Sequence, residues 1–100
     1  MRQIKEYIIY DHNPATQTVY MVAGAEVIAA TEDRGTITLY ALTESTTVNS
    51  ELRAFEVHST GDLFTAECAK HIATYKSSLG TRHVFEIVKE GGAKYEGCLY

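Results

Sequence analysis

Residues 25–43, AEVIAATEDRGTITLYALT, decide the fold of this chain. Apolar and polar side chains alternate on both sides of Asp33-Arg34-Gly35, and the valine, isoleucine, threonine and tyrosine residues among them favour strands. Glycine at the end of a three-residue connection suits a type I turn followed by a left-handed position, where a Cβ would be strained. The stretch therefore predicts a β-hairpin made of strands 25–32 and 36–43.

The same period of two recurs in the rest of the chain. It predicts five further strands, at 3–10, 16–22, 51–58, 70–76 and 81–89. The last two form a second hairpin across Ser77-Ser78-Leu79-Gly80, and only 62–69 also favours a short helix, which Asp62 would cap. Seven strands about ten residues apart predict an all-β fold, or a β-rich fold with one short helix, in which antiparallel strands form a small sandwich or barrel.

The length and composition indicate one domain. With 100 residues, 45% of them hydrophobic and 22% charged, the chain can bury one modest core. We assign residues 1–89 to a single β-rich domain, and residues 90–100, which contain three glycines and no sustained alternation, to a flexible or partner-docked tail. The net charge of -4 and the pI near 5.5 exclude a broad basic surface, so we expect no non-specific binding to nucleic acid or membrane.

Two observations favour a cytoplasmic protein. Charges interrupt the apolar residues of the N-terminus, and Gly24 and Glu26 interrupt the apolar stretch 19–30, so neither a signal peptide nor a membrane span is predicted. Cys68 and Cys98 are too few and too far apart for a disulfide framework or a metal site, and we expect both thiols to be reduced.

The usual catalytic patterns are missing from the sequence. It contains no G-x-S-x-G, P-loop, H-x-x-x-H or C-x-x-C motif, and its scattered carboxylates form no acid–base pair. His71 and His83 could meet across the second hairpin as half of a metal site, but no further ligands complete it. We therefore predict a non-enzymatic protein without metal or cofactor. An enzyme would need a site built from residues such as His58, His71, His83 or Glu86.

The most site-like segment is His58-Ser59-Thr60-Gly61-Asp62. A turn of small residues after a strand exposes backbone N–H groups and hydroxyls, which could cradle a phosphate if arginines stand nearby and tyrosines stack on a base. The alternative is an ordinary turn capped by Asp62, with the tyrosines packed in the core. The candidate ligand-binding residues are Arg53, His58, Ser59, Thr60, Gly61, Arg82, Tyr40 and Tyr75.

Several predicted strands carry apolar residues on both of their faces. In the first of them, Tyr7 and Ile9 alternate with Ile8 and Tyr10. An antiparallel sheet in a monomer normally has one face in water, so a strand that is apolar on both sides needs cover for its second face. We therefore predict a homo-oligomer.

The chain resembles a family of small bacteriophage and prophage proteins that is described only as a domain of unknown function. The resemblance covers residues 3–88 and rests on the order and spacing of six motifs. They are QTVYM, GAEVIAA, TLYAL, FEVHSTGD, KHIATY and GTRHVFE. Tyr40 stands where the family often has tryptophan, and Ser59-Thr60-Gly61-Asp62 replaces a more glycine-rich stretch. The resemblance implies a phage-encoded protein in the cytoplasm of the bacterial host, and it brings no established activity with it.

On these grounds we expect a small non-enzymatic binding protein for host takeover or counter-defence. In the leading version, an oligomer sequesters an anionic nucleotide immune signal, such as a cyclic nucleotide. The first alternative is a protein–protein inhibitor of a host or defence protein, for example one of the CRISPR type, and the second is a minor structural component of the virion. The choice of class follows from analogy with small phage proteins that lack catalytic residues.

Overall fold

The computed structural model describes residues 1–63, 69–78 and 80–87, and what is said of the structure concerns these residues. They contain no helix that is long and apolar enough to cross a membrane. The predicted all-β fold of seven antiparallel strands is confirmed. Cys68, Cys98, the tail at 90–100 and most of the helical alternative at 62–69 lie outside the described residues. The strands are β1 (Arg2–Tyr10), β2 (Gln17–Val22), β3 (Glu26–Asp33), β4 (Thr36–Glu44), β5 (Ser50–Ser59), β6 (Ala69–Ser77) and β7 (Gly80–Ile87).

The strands form two sheets that face each other as an open sandwich. The first sheet contains three strands in the order β1-β4-β3, and the second contains four in the order β2-β5-β7-β6. β1 lies beside β2 at one side of the sandwich and β3 beside β6 at the other, and neither sheet closes on itself. Of the two predicted architectures, the structure therefore has the sandwich and not the barrel.

The core lies between the two sheets and is built from alternate residues of the strands. In β4, the middle strand of the first sheet, Leu39 and Ala41 are fully buried, while Tyr40 between them lies on the opposite face. Phe55 of β5 and Val84 of β7 belong to the same core on the side of the second sheet. One phase of each central strand is therefore in the core, as the period of two predicts.

The β3–β4 hairpin forms as predicted, but the predicted turn type is wrong. Asp33 pairs with Thr36, so the connection has only two residues, Arg34 and Gly35. Both have positive φ, 54° and 87°, which is typical of a type I′ turn and not of a type I turn followed by a left-handed residue. The type I′ turn forms because it matches the right-handed twist of paired strands, and Glu32 supports it by accepting the Gly35 N–H at 2.9 Å.

The four edge strands differ in regularity. β3 contains a bulge between Val27 and Ala29, and β6 contains one between His71 and Ala73. β1 pairs with β4 without interruption over its nine residues, and β2 pairs with β5 over its six. The side of the sandwich formed by β1 and β2 is therefore regular, whereas the side formed by β3 and β6 is not.

Side chains join β1 to β2 across the two sheets. The Gln17 amide donates to the Tyr10 carbonyl at 2.7 Å and accepts the Tyr10 N–H at 2.8 Å, as a paired strand residue would. The Val22 N–H donates to the Tyr7 hydroxyl at 3.2 Å. These three hydrogen bonds connect the sheets at the regular side of the sandwich.

Leu39→Ala is expected to lower the free energy of unfolding by about 2–5 kcal/mol, because it leaves a cavity at a fully buried position. The matched control Leu52→Ala removes the same atoms from a side chain that is 50% exposed, and it should cost less than about 1 kcal/mol. Urea denaturation followed by circular dichroism measures both. Equal losses for the two variants would contradict the placement of Leu39 in the core.

Candidate functional site

The first predicted cation, Arg53, is buried on the inner face of β5. Its guanidinium donates to both carboxylate oxygens of Glu86, with an Nη2–Oε1 distance of 3.0 Å, and its Nη1 donates to Glu51 Oε2 at 2.9 Å. Burial by itself lowers the pKa of Arg53, but the hydrogen bonds and negative charges of Glu86 and Glu51 outweigh this effect and raise the pKa above its ordinary value. Arg53 therefore neutralises carboxylates of its own chain.

The second predicted cation, Arg82, bridges the two sheets. Its Nε donates to Asp11 Oδ1 at 2.7 Å, its Nη2 donates to the Asp11 carbonyl oxygen at 2.7 Å, and its Nη1 donates to the Ser59 hydroxyl. The Asp11 side chain is only 2% exposed, so its carboxylate is shielded from water. Arg82 thus joins the end of β1 to β5 and β7.

Tyr75 lies opposite Arg82 in the ladder between β6 and β7. Its hydroxyl is enclosed and has no hydrogen-bond partner among the described residues. Burial raises the pKa of this hydroxyl well above its ordinary value near 10, and the negative charges of Asp11 and Glu32 add to the increase. Tyr75 therefore packs against the core as a neutral group.

The predicted phosphate cradle at 58–62 uses its own donors. β5 runs to Ser59, so the turn itself consists of Thr60 and Gly61. The Asp62 N–H donates to the Ser59 carbonyl at 3.1 Å, and Asp62 Oδ2 accepts the Ser59 N–H at 2.8 Å. The Thr60 N–H donates to a carbonyl of β7 at 3.3 Å. An anion would have to displace the Asp62 carboxylate, so the segment has the closed form of a capped turn.

His58 and Thr60 belong to a polar cluster on the outer face of the second sheet. His58 lies opposite His83 in the ladder between β5 and β7. The two ring nitrogens of His83 contact the hydroxyls of Thr60 at 2.7 Å and Thr74 at 2.9 Å. The Thr74 hydroxyl also contacts Nε2 of His71 at 2.8 Å. His71 and His83 therefore approach each other, as the second hairpin predicts, with a hydroxyl between them.

This cluster is a hydrogen-bonded surface in which each ring is already engaged. His58 Nε2 contacts Glu56 Oε1 at 2.8 Å, and the rings of His58 and His71 stand edge-on to Phe85. No group of three or more histidine, cysteine or acidic side chains within residues 1–63, 69–78 and 80–87 is placed to hold a metal ion. Glu86, which the enzyme alternative would combine with these histidines, lies on the inner face of the sheet with Arg53.

The structure separates the predicted ligand-binding residues. Arg53 precedes Ser59 by six residues on β5, which corresponds to about 20 Å in an extended strand, so Arg53 does not join the 58–62 turn within one chain. A shared site of the predicted kind would need more than one copy of the chain. On the inner face, Arg53 lies at one end, and Arg82, Ser59 and Tyr75 lie near the other end. Gly61 is in the turn. The remaining three lie on outer faces, His58 and Thr60 on that of the second sheet and Tyr40 on that of the first.

Sequence reasoning misses two features that organise this arrangement, the role of Asp11 and the pairing of Glu86 with Arg53. Glu86 is in phase with Val84 on β7, and Arg53 is in phase with Phe55 on β5. Opposite charges in the apolar phases of two strands indicate a buried ion pair, because an isolated buried charge is too costly. That signal is present in the sequence. Asp11 has no comparable signal, since its position before a loop that contains proline suggests an ordinary turn residue.

The outer face of the first sheet is apolar and exposed. Ile4 is 59% exposed, Ile8 44% and Tyr10 48%, although all three belong to a regular strand. In the neighbouring β4, Leu42 lies opposite Ile4, and Tyr40 lies two residues away on the same face. We call the surface lined by Ile4, Ile8, Tyr10, Tyr40 and Leu42 the apolar face. This face contains the apolar residues of β1 and β4 that alternate with their core residues.

Asp11→Asn is expected to lower the free energy of unfolding by about 3–5 kcal/mol, because the substitution leaves the Arg82 guanidinium without its counter-charge. Arg82→Met removes the other partner. If the two charges act as a pair, the double variant should lose clearly less than the sum of the two single losses. Urea denaturation of the four proteins tests this, and strictly additive losses would speak against the coupling.

The raised pKa of Tyr75 predicts a loss of stability at alkaline pH. Above about pH 10 the unfolded chain releases the Tyr75 proton while the folded chain keeps it, so the free energy of unfolding falls as pH rises. Tyr75→Phe should remove this contribution, whereas Tyr20→Phe, at an exposed position, should leave the slope unchanged. Urea unfolding between about pH 8 and pH 11 measures the slope. A Tyr75→Phe variant with the parent slope would show that the hydroxyl is not enclosed.

The comparison with protein families agrees with the motif-based resemblance in one respect, membership of a domain family of unknown function. Residues 1–94, which include every strand and every candidate site residue, match a family described as a domain of unknown function, DUF7352. No curated protein and no solved structure matches the chain. The chain therefore belongs to the DUF7352 family of domains of unknown function.

Proposed function

We propose that this protein is a non-enzymatic binding protein whose apolar face docks on another protein. The biological setting of the proposal is host takeover or counter-defence, which follows from the resemblance to small phage proteins and not from the fold. The observation that carries the proposal is the exposure of Ile4, Ile8 and Tyr10 on one face of a sheet, where only Glu6 of β1 lies between them.

The composition of the apolar face is that of an interface core. Isoleucine and tyrosine side chains give a large contact area with little loss of conformational entropy, and a contiguous exposed apolar patch usually marks an interaction site. Glu26 lies where this face ends, at the position that pairs with Leu42, whereas the Glu44 carboxylate already binds the Met1 ammonium group. A partner that fits would present an apolar surface with a basic residue opposite Glu26.

A protein partner ranks above an anionic nucleotide because of the state of the two arginines. The predicted phosphate site needs guanidinium groups with free donors. Arg53 and Arg82 both direct theirs at carboxylates inside the sandwich, and within the 58–62 turn the Ser59 N–H donates to Asp62 and the Thr60 N–H donates to Thr81. A nucleotide would therefore have to break ion pairs on which the fold relies.

Capture of a partner by matched surface variants tests the proposal. Ile8→Lys and Leu52→Lys each place a lysine at a half-exposed apolar position, the first on the apolar face and the second on the outer face of the other sheet. Tagged parent protein should retain a stoichiometric protein from lysate of phage-infected cells, Ile8→Lys should reduce retention at least about tenfold, and Leu52→Lys should not. Quantitative mass spectrometry measures retention.

Two results would overturn the proposal. Equal retention by parent and Ile8→Lys would mean that the apolar face is not the docking surface. Absence of any retained protein, together with a thermal shift caused by cyclic di- or trinucleotides, would favour sequestration of a nucleotide signal instead.

A further inference from the structure

We propose that two copies of this chain pair through the open edge of β1, in an antiparallel arrangement that joins two three-stranded sheets into one sheet of six strands. The proposal concerns the edge of the first sheet, whereas partner docking concerns its face. It therefore does not depend on the proposed function.

The backbone of β1 has unused hydrogen-bonding groups on its outer edge. At the ends of the strand, the Met1 carbonyl accepts an N–H from the residue after β4, and the Asp11 N–H donates to the residue before β4. In an antiparallel ladder, the backbone groups of successive residues point alternately to the two sides of the strand. The N–H and C=O groups of odd-numbered residues in β1 therefore point to β4, and those of even-numbered residues point to the open edge. The even-numbered Tyr10 follows this pattern, because the side-chain amide of Gln17, on the side of β1 away from β4, is hydrogen-bonded to both the N–H and the carbonyl of Tyr10. The even-numbered residues that keep open backbone groups within the described part of the chain are Arg2, Ile4, Glu6 and Ile8.

β1 is the edge best suited to accept another strand. It is the longest uninterrupted edge strand, whereas bulges interrupt β3 and β6. β2 has only six residues, and its Val22 N–H is already bonded to the Tyr7 hydroxyl. A long, regular edge with exposed apolar side chains and unpaired backbone groups is a template for strand addition.

The charges along β1 select one register for pairing with a second copy. If Glu6 lay opposite Glu6 of the second copy, like charges would meet, and the pairing would need the backbone groups of Tyr10, which are occupied. If Ile4 lay opposite Glu6, a carboxylate would face an isoleucine and Lys5 would face Lys5. If Ile4 lies opposite Ile4 of the second copy, Arg2 of each copy lies opposite Glu6 of the other, so the two-fold symmetry gives two such pairs. The last register combines apolar contact with two ion pairs and is the one we assign.

This register also explains the alternation of charge along the apolar face. Arg2 and Glu6 are the residues that interrupt the apolar side chains of β1, and both are neutralised in the pair. Three residue pairs face each other across the two copies: Arg2 with Glu6, Ile4 with Ile4, and Glu6 with Arg2. Each pair exchanges two backbone hydrogen bonds, so the pairing supplies about six. The two-fold arrangement uses the same residues of both copies, so it closes on itself.

Charge reversal and charge exchange test the register. Glu6→Arg and Arg2→Glu each place like charges opposite each other twice, and each should weaken the dimer about tenfold. The double variant Arg2→Glu/Glu6→Arg exchanges the charges and should restore the parent dissociation constant. Glu26→Arg is the matched control, because it makes the same change of charge at an exposed position on β3. Analytical ultracentrifugation over a range of protein concentrations measures the dissociation constants, and circular dichroism checks that each variant is folded.

The outcomes separate the proposal from its competitors. A parent protein that stays monomeric up to about millimolar concentration overturns it. So does a dimer that Glu26→Arg weakens as much as Glu6→Arg, or one that the double variant fails to restore. Because Ile8 lies outside the three pairs, loss of partner capture by Ile8→Lys with an unchanged dimer would leave self-pairing intact, and the reverse result would leave partner docking intact.

Discussion

The ion pair between Arg82 and Asp11 is the interaction on which the rest of the structure depends. The two residues are 71 positions apart in the chain, and the same guanidinium also donates to Ser59. One side chain thus fixes the end of β1 against two strands of the other sheet. A buried ion pair adds little net stability compared with an apolar replacement, but breaking it is costly. Its main effect is therefore on how the two sheets face each other.

A second polar contact, between Arg53 and Glu86, lies toward the other end of the inner face, with the apolar core in the middle. The sandwich of this small chain therefore buries charge as well as hydrophobic surface, and the charges are mutually neutralised. This arrangement leaves the outward faces to other residues: a cluster of hydroxyls and imidazoles on the four-stranded sheet, beside the exposed pair Tyr20 and Leu52, and, within the described residues, isoleucine and tyrosine without such a cluster on the three-stranded one. The two faces differ in chemistry, which makes the molecule two-sided.

Local patterns predicted the strands and both hairpins, because a period of two depends only on neighbouring residues. They did not predict the turn at Arg34 and Gly35, since its type follows from the pairing of Asp33 with Thr36 in the finished ladder. Nor could they show that Arg53 faces inward toward Glu86, because that requires the order of strands in the second sheet. The exposed apolar face was predictable for a simple reason: β1 has no phase that is free of isoleucine or tyrosine.

The bulge between Val27 and Ala29 lies on β3, the edge of the first sheet opposite β1. A sheet with two regular edges can add copies at both ends and grow into a fibre. Here the ladder at the far edge is interrupted, so once β1 is covered the sheet has no second regular edge from which to grow. Under the proposed pairing through β1, this irregularity would limit growth of the first sheet to two copies, which matters for a chain with 45% hydrophobic residues.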